Sequence, residues 1–169
     1  MKNIFFLALA VILLSSCSKN DQDVRFEMVY EREFTIPAGL NVFDTHYFPI
    51  RDISIGSYLT ANNVTAADLI AINPGSARLS TKFTGLAEYD FIRDVSIVIF
   101  TDDENNNKEV FWRPSVPLNQ GEDLDIFATL VDAKQYFEGT KFNLYVKLNL
   151  QAVPQQTVET RFTFSFLAK

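Results

Sequence analysis

Lys141-Phe142-Asn143-Leu144-Tyr145-Val146-Lys147-Leu148-Asn149-Leu150-Gln151 decides the fold class. Phe142, Leu144, Val146, Leu148 and Leu150 share one parity, while Lys141, Asn143, Lys147, Asn149 and Gln151 take the other. Successive side chains of a strand point to opposite faces, so this stretch is a strand with one greasy and one wet face. After Ala152-Val153-Pro154-Gln155-Gln156, the residues Val158, Phe162, Phe164 and Phe166 repeat the alternation against Glu159, Arg161, Thr163 and Ser165. The two stretches read together as a hairpin and as the backbone of the core, each buried side chain being worth ~1.5–3 kcal/mol before the entropy cost.

The same period extends upstream. Val24, Phe26, Met28, Tyr30, Phe34 and Ile36 alternate with mostly charged neighbours, Arg32 being the one break, read as a bend or bulge. Pro37-Ala38-Gly39 ends that strand, and a packed crossing loop feeds a short strand near Thr45 to Arg51. Thr65-Ala66-Ala67-Asp68 matches a capping box, which predicts a helix of two turns through Leu69, Ile70 and Ile72, stopped by Asn73-Pro74-Gly75. Ala77, Leu79, Thr81 and Phe83 alternate again. Phe91 to Phe100 is apolar on both parities, the pattern of a strand covered on both faces. Thr101 to Lys108 is a polar turn, Glu109 to Arg113 returns antiparallel, Leu124 to Val131 makes another strand, and Asp132 to Gly139 a turn or single helical turn.

At the other end of the chain, Lys2 precedes an apolar run from Ile4 to Leu14, which closes on Leu14-Ser15-Ser16-Cys17. The run would reach roughly 16 Å as a helix, short of the ~30 Å hydrocarbon core, so it suits an export signal better than a span. With cysteine at the first mature position, the stretch resembles the signal of a bacterial lipoprotein of Bacteroidota type, Leu14 to Cys17 standing as the lipobox. The resemblance implies removal of residues 1–16, a diacylglycerol on the Cys17 thiol and further acylation, such as palmitate, of the new amino terminus. Two or more chains hold a protein far more firmly than one. Ser18-Lys19-Asn20-Asp21-Gln22-Asp23 is then a polar tether over residues 17–23, followed by a single domain over 24–169. Ser-Lys followed by acidic residues also resembles a surface-export tag, interrupted here by Asn20 and Gln22. The expected address is the outer membrane, on its periplasmic face or at the cell surface.

Seven to eight strands with turns between them fit an all-β, two-sheet Greek-key sandwich of immunoglobulin-like type with one short helix. A small outer-membrane barrel is the rival. The strand apolar on both parities, the internal capped helix and the lipobox favour the sandwich. The chain is acidic, with a net charge of -6, and loss of residues 1–16 removes Lys2 and no acid. Nucleic acid is therefore excluded as a partner, and an envelope protein or a polysaccharide is expected beside the membrane itself. Cys17 is the single cysteine, so no intramolecular disulfide is available, and sixteen phenylalanines supply the core instead.

Chemistry-bearing residues are few. Asp102, Asp103, Glu104 and Asn105 offer oxygen ligands of the kind calcium takes, without the spacing, glycine or distal glutamate of an EF-hand; a solvated turn explains them equally well. Asp44 and Asp52 are candidates for the same end of the molecule. His46 is the single histidine and could orient with Asp44, but no nucleophile elbow completes a triad. Trp112, beside Phe111 and Arg113, is either a stacking platform for a glycan or a core residue. No cofactor motif is present. The sequence therefore predicts a non-enzymatic, lipid-anchored binding or accessory module, with a glycan-binding or calcium-dependent adhesion module as the alternative.

Overall fold

The computed structural model describes residues 24–85, 87–139 and 141–169. Cys17, the signal stretch and the tether lie outside them. The domain is all-β: eight antiparallel strands in one nearly closed sheet. The strands are β1 (Phe26–Ile36), β2 (Thr45–Ser54), β3 (Ile72–Thr81), β4 (Ile92–Phe100), β5 (Asn107–Arg113), β6 (Asp123–Ala128), β7 (Lys141–Leu150) and β8 (Val158–Ala168). One short helix, α1 (Gly56–Ala61), and 3-10 turns at Ala66–Asp68 and Lys134–Phe137 fill the connections. Among the described residues no helix is long and apolar enough to cross a membrane.

The strand order is β1-β8-β3-β6-β5-β4-β7-β2. An immunoglobulin domain pairs its first strand with its second; here β1 lies against β8 and β2 against β7, so the immunoglobulin-like order is not the one adopted. The expected β7–β8 hairpin is also corrected. β7 pairs with β2 and β4, and β8 pairs with β1 and β3. Residues 151–157 therefore carry the chain from one half of the sheet to the other. Both strands still turn their apolar parity inward: Phe142, Leu144, Val146, Leu148, Leu150, Phe162, Phe164 and Phe166 are all buried. Phe166 meets Phe111, Phe137 and Phe142 at ring-centroid distances of 5.7, 5.0 and 5.7 Å, and Tyr30 meets Phe142 edge-on at 5.7 Å. An apolar interior with Lys147, Glu159 and Arg161 outside inverts the alternation of a transmembrane barrel.

Two local expectations change. β1 runs in unbroken register with β8, Arg32 opposite Phe162, so there is no bulge at Arg32; its guanidinium donates to the Glu31 carbonyl at 2.8 Å. The Thr65–Asp68 box does form, Asp68 Oδ2 accepting from both the Thr65 amide and hydroxyl at 2.7 Å. It closes only one 3-10 turn. Leu69 is already extended, and Ile70 N donates to the Lys169 carbonyl at 2.7 Å, so the sheet claims the backbone that a helix would have used. Asn73-Pro74-Gly75 lies inside β3, where the register with β8 shifts between Pro74 and Ala77. A proline lacks the ladder donor and is tolerated at such an irregularity.

Candidate functional site

Strand register builds a row of outward side chains across five strands. Tyr47 of β2 stands opposite Lys147 of β7, Lys147 opposite Ser96 of β4, Ser96 opposite Trp112 of β5, and Trp112 opposite Phe127 of β6. Their sequence neighbours Val146, Leu148, Val95, Ile97, Phe111 and Ile126 are buried, which fixes the row on the outer face. Tyr47, Trp112 and Phe127 remain 56%, 44% and 50% exposed, so Trp112 is not a core tryptophan. At ~4.8 Å between strands, four gaps make the row about 19 Å long.

Cations sit on these rings. Lys147 Nζ lies 5.6 Å from the Tyr47 ring centroid, and the Arg113 guanidinium carbon 4.8 Å from that of Phe127. Both contacts suit the negative ring face. Tyr145 packs edge-on against Tyr47 at 6.0 Å. Beside Trp112 a shallow groove of about 300 Å³ is bordered by Arg93, Asp94, Ser96, Glu109 and Arg113. Its polar groups engage one another: the Ser96 hydroxyl donates to Glu109, and Arg93 pairs with Asp94 at 3.0 Å. The surface is thus an exposed aromatic strip with a hydrogen-bonding border.

The acidic turn is organised by its own side chains. Asp103 Oδ1 accepts from the Asn105 amide at 2.9 Å, and Asn107 Nδ2 donates to the Glu104 carbonyl at 2.8 Å. Glu104 Oε1 accepts from Arg51 at 2.9 Å and from the Tyr145 hydroxyl at 2.7 Å. Those donors hold the Glu104 carboxyl below the usual carboxylate range, and the same bond raises the Tyr145 phenol. Among the described residues no group of three or more His, Cys, Asp or Glu side chains converges as a metal site would require. Asp52 follows Arg51 at this end and pairs with Lys141 at 2.9 Å. Asp44 lies at the far end of β2, bonded to the Asn41 amide, so the two do not share an end. His46 Nε2 meets the Asn41 carbonyl at 2.8 Å, which leaves it tied to the loop backbone and not to Asp44.

Sequence reasoning singled out Trp112 but passed over Tyr47, Phe127 and Lys147. The available signal was an aromatic on the outward parity of its strand. No protein-family model matches the chain, and no curated protein matches it. Among solved structures, a chain titled Desmodium yellow mottle tymovirus is 13% identical, covering 85% of this chain and 87% of that one at a TM-score of 0.25. A likeness that slight bears on neither fold nor function.

Proposed function

We propose that this protein is a lipid-anchored envelope module that binds without catalysing, and that it holds a polysaccharide on the Tyr47–Lys147–Ser96–Trp112–Phe127 row. The observation that carries this reading is the exposure of Trp112 directly opposite Phe127, with Tyr47 farther along the same line. Rings standing in water present apolar faces to the C–H face of a sugar, while Lys147, Ser96 and Glu109 reach its hydroxyls. The strand spacing is close to the length of one pyranose unit, so a linear chain laid across the strands meets successive side chains. The anchor reading rests on the lipobox ending at Cys17, and an outer-membrane address, on the periplasmic face or at the cell surface, goes with it.

We also read the halves β1-β8-β3-β6 and β5-β4-β7-β2 as the layers of a jelly-roll sandwich with two Greek keys. In support, the β5–β6 seam is two register pairs long, and Phe111–Phe166 and Tyr30–Phe142 join strands of different halves. Four members of the row then stand on one layer, and Phe127 joins them across the seam from β6 of the other.

Calorimetry with cell-wall and dietary polysaccharides, with and without calcium, tests the ligand. Heat is expected with a linear polymer, independent of calcium and lost in Trp112→Ala; silence across the panel removes the glycan reading. Labelled palmitate tests the anchor separately. Incorporation is expected in the native chain and not in Cys17→Ser, and a serine variant that stays as firmly membrane-bound refutes it.

A further inference from the structure

The four connections at the pole opposite the start of β1, residues 37–44, 82–91, 114–122 and 151–157, meet in one surface. Backbone bonds tie them: Gly39 N donates to the Pro154 carbonyl at 2.9 Å, Tyr89 N to that of Gly121 at 3.1 Å, and Gln151 N to that of Phe91 at 2.9 Å. Two adjoining clefts of about 230 and 330 Å³ open between them, sharing Ala87, Glu88, Asp90 and Gln156. Val153 and Pro154 line the first, and Glu122 borders the second.

This pole is both acidic and apolar. The four connections carry Asp44, Glu88, Asp90 and Glu122 against Lys82 alone, and Lys82 is taken by Glu33 at 2.7 Å. Among the described residues Glu88, Asp90 and Glu122 join no salt bridge. Each connection also leaves one large apolar side chain in water: Phe43, Phe83, Leu118 and Val153, of which Phe43 and Leu118 are 94% and 76% exposed. On the strands five carboxylates do find a cation, among them Asp125 with Arg78 at 2.6 Å and Glu31 with Arg161 at 3.3 Å.

We propose that this pole docks a lysine- and arginine-bearing, partly apolar segment of a protein partner. The cleft carboxylates supply the complementary charge, and the four apolar side chains supply area that water now covers. Anionic lipid would be repelled. β1 is eleven residues long, so at ~3.3 Å per residue the pole lies about 35 Å from where the chain enters the domain. It therefore stays clear of whatever holds the amino-terminal end. The surface is separate from the aromatic row, and the inference does not depend on glycan binding.

The test is fluorescence anisotropy of a short labelled peptide, Lys-Val-Arg-Ser repeated, titrated with the full chain in nonionic detergent. The peptide should bind, and its counterpart with glutamate at every basic position should not. Combined Glu88→Gln, Asp90→Asn and Glu122→Gln should weaken binding roughly tenfold or more, since close charge pairs at an interface carry that much. Leu118→Ser should weaken it severalfold, whereas Asp102→Asn with Asp103→Asn and, separately, Trp112→Ala should leave it unchanged. Equal binding by the triple variant, equal loss in the Asp102 and Asp103 variant, or displacement of the peptide by a neutral oligosaccharide would overturn the proposal. Loss of sugar binding in Trp112→Ala with peptide binding intact separates the two surfaces.

Discussion

Trp112 stands opposite Phe127 across the seam where β5 meets β6, one of the two register pairs that join those strands. The pair thus joins the two halves of the sheet and forms one end of the exposed aromatic row. Directly opposed cross-strand side chains contribute ~0.2–1 kcal/mol, so Trp112→Ala or Phe127→Ala should lower stability by up to about 1 kcal/mol, read as a shift in urea midpoint. As Trp112 is the single tryptophan and 44% exposed, its emission should be that of a wet indole and open to acrylamide quenching. A sugar polymer seated on the row should blue-shift the emission and reduce the quenching.

Phe166 and Phe43 should separate core from surface. Phe166 is fully buried among Phe111, Phe137, Phe142 and Phe164, and truncating such a residue costs ~3–5 kcal/mol in lost transfer energy and cavity formation. Phe166→Ala should therefore unfold at much lower denaturant than the native chain. Phe43 is 94% exposed, so Phe43→Ser should leave the midpoint unmoved.

Strand positions were legible because their parity was: Phe142 to Leu150 and Val158 to Phe166 bury the residues that alternation selects. Partnership was not legible. Periodicity says which face of β7 is buried and nothing about which strand lies beside it, so sequence adjacency suggested a hairpin that the crossing of residues 151–157 forbids. The Thr65–Asp68 box is legible as a local motif, and Asn73-Pro74-Gly75 bounds the helix it predicts, but nothing local shows that pairing with the end of β8 draws residues 70–74 into the sheet. Helix α1 was missed because Gly56-Ser57-Tyr58-Leu59-Thr60-Ala61 is poor in helix formers. The same limit hid the site. Tyr47 and Phe127 break the alternation of their strands, and only the register that lines them up with Trp112 gives those breaks a common meaning.

Gly75 marks the one place where β3 and β8 approach too closely for a side chain. A Cβ there would lie 2.5 Å from Ser165 Oγ and 3.3 Å from Leu167 Cγ. Ser165 is buried, and its hydroxyl accepts from the Ser76 amide at 3.0 Å, so it has little freedom to retreat. Gly75→Ala should cost ~1–3 kcal/mol by overpacking. Ser165→Ala removes the oxygen that is struck but leaves the Ser76 amide without its acceptor. The double variant should therefore be less destabilised than the two singles predict together, a coupling that a double-mutant cycle in urea measures directly.

Glu104 and Asp68 give the domain an acid limit. Hydrogen bonds from Arg51 and Tyr145 lower the Glu104 carboxyl, and the Thr65 amide and hydroxyl lower that of Asp68. A group whose folded pKa lies below its unfolded value binds fewer protons when folded, so it stabilises the fold at high pH. That stabilisation is fully present above the unfolded carboxylate range, about pH 3.9–4.3, and is lost as pH falls through the lower folded values. Melting temperature should stay level from neutral pH down to about 5 and then drop. Glu104→Gln should lower the plateau slightly and flatten part of that drop, because glutamine keeps an acceptor for Arg51 and Tyr145 but has no proton to take up. A drop of unchanged steepness in this variant would place the acid sensitivity elsewhere.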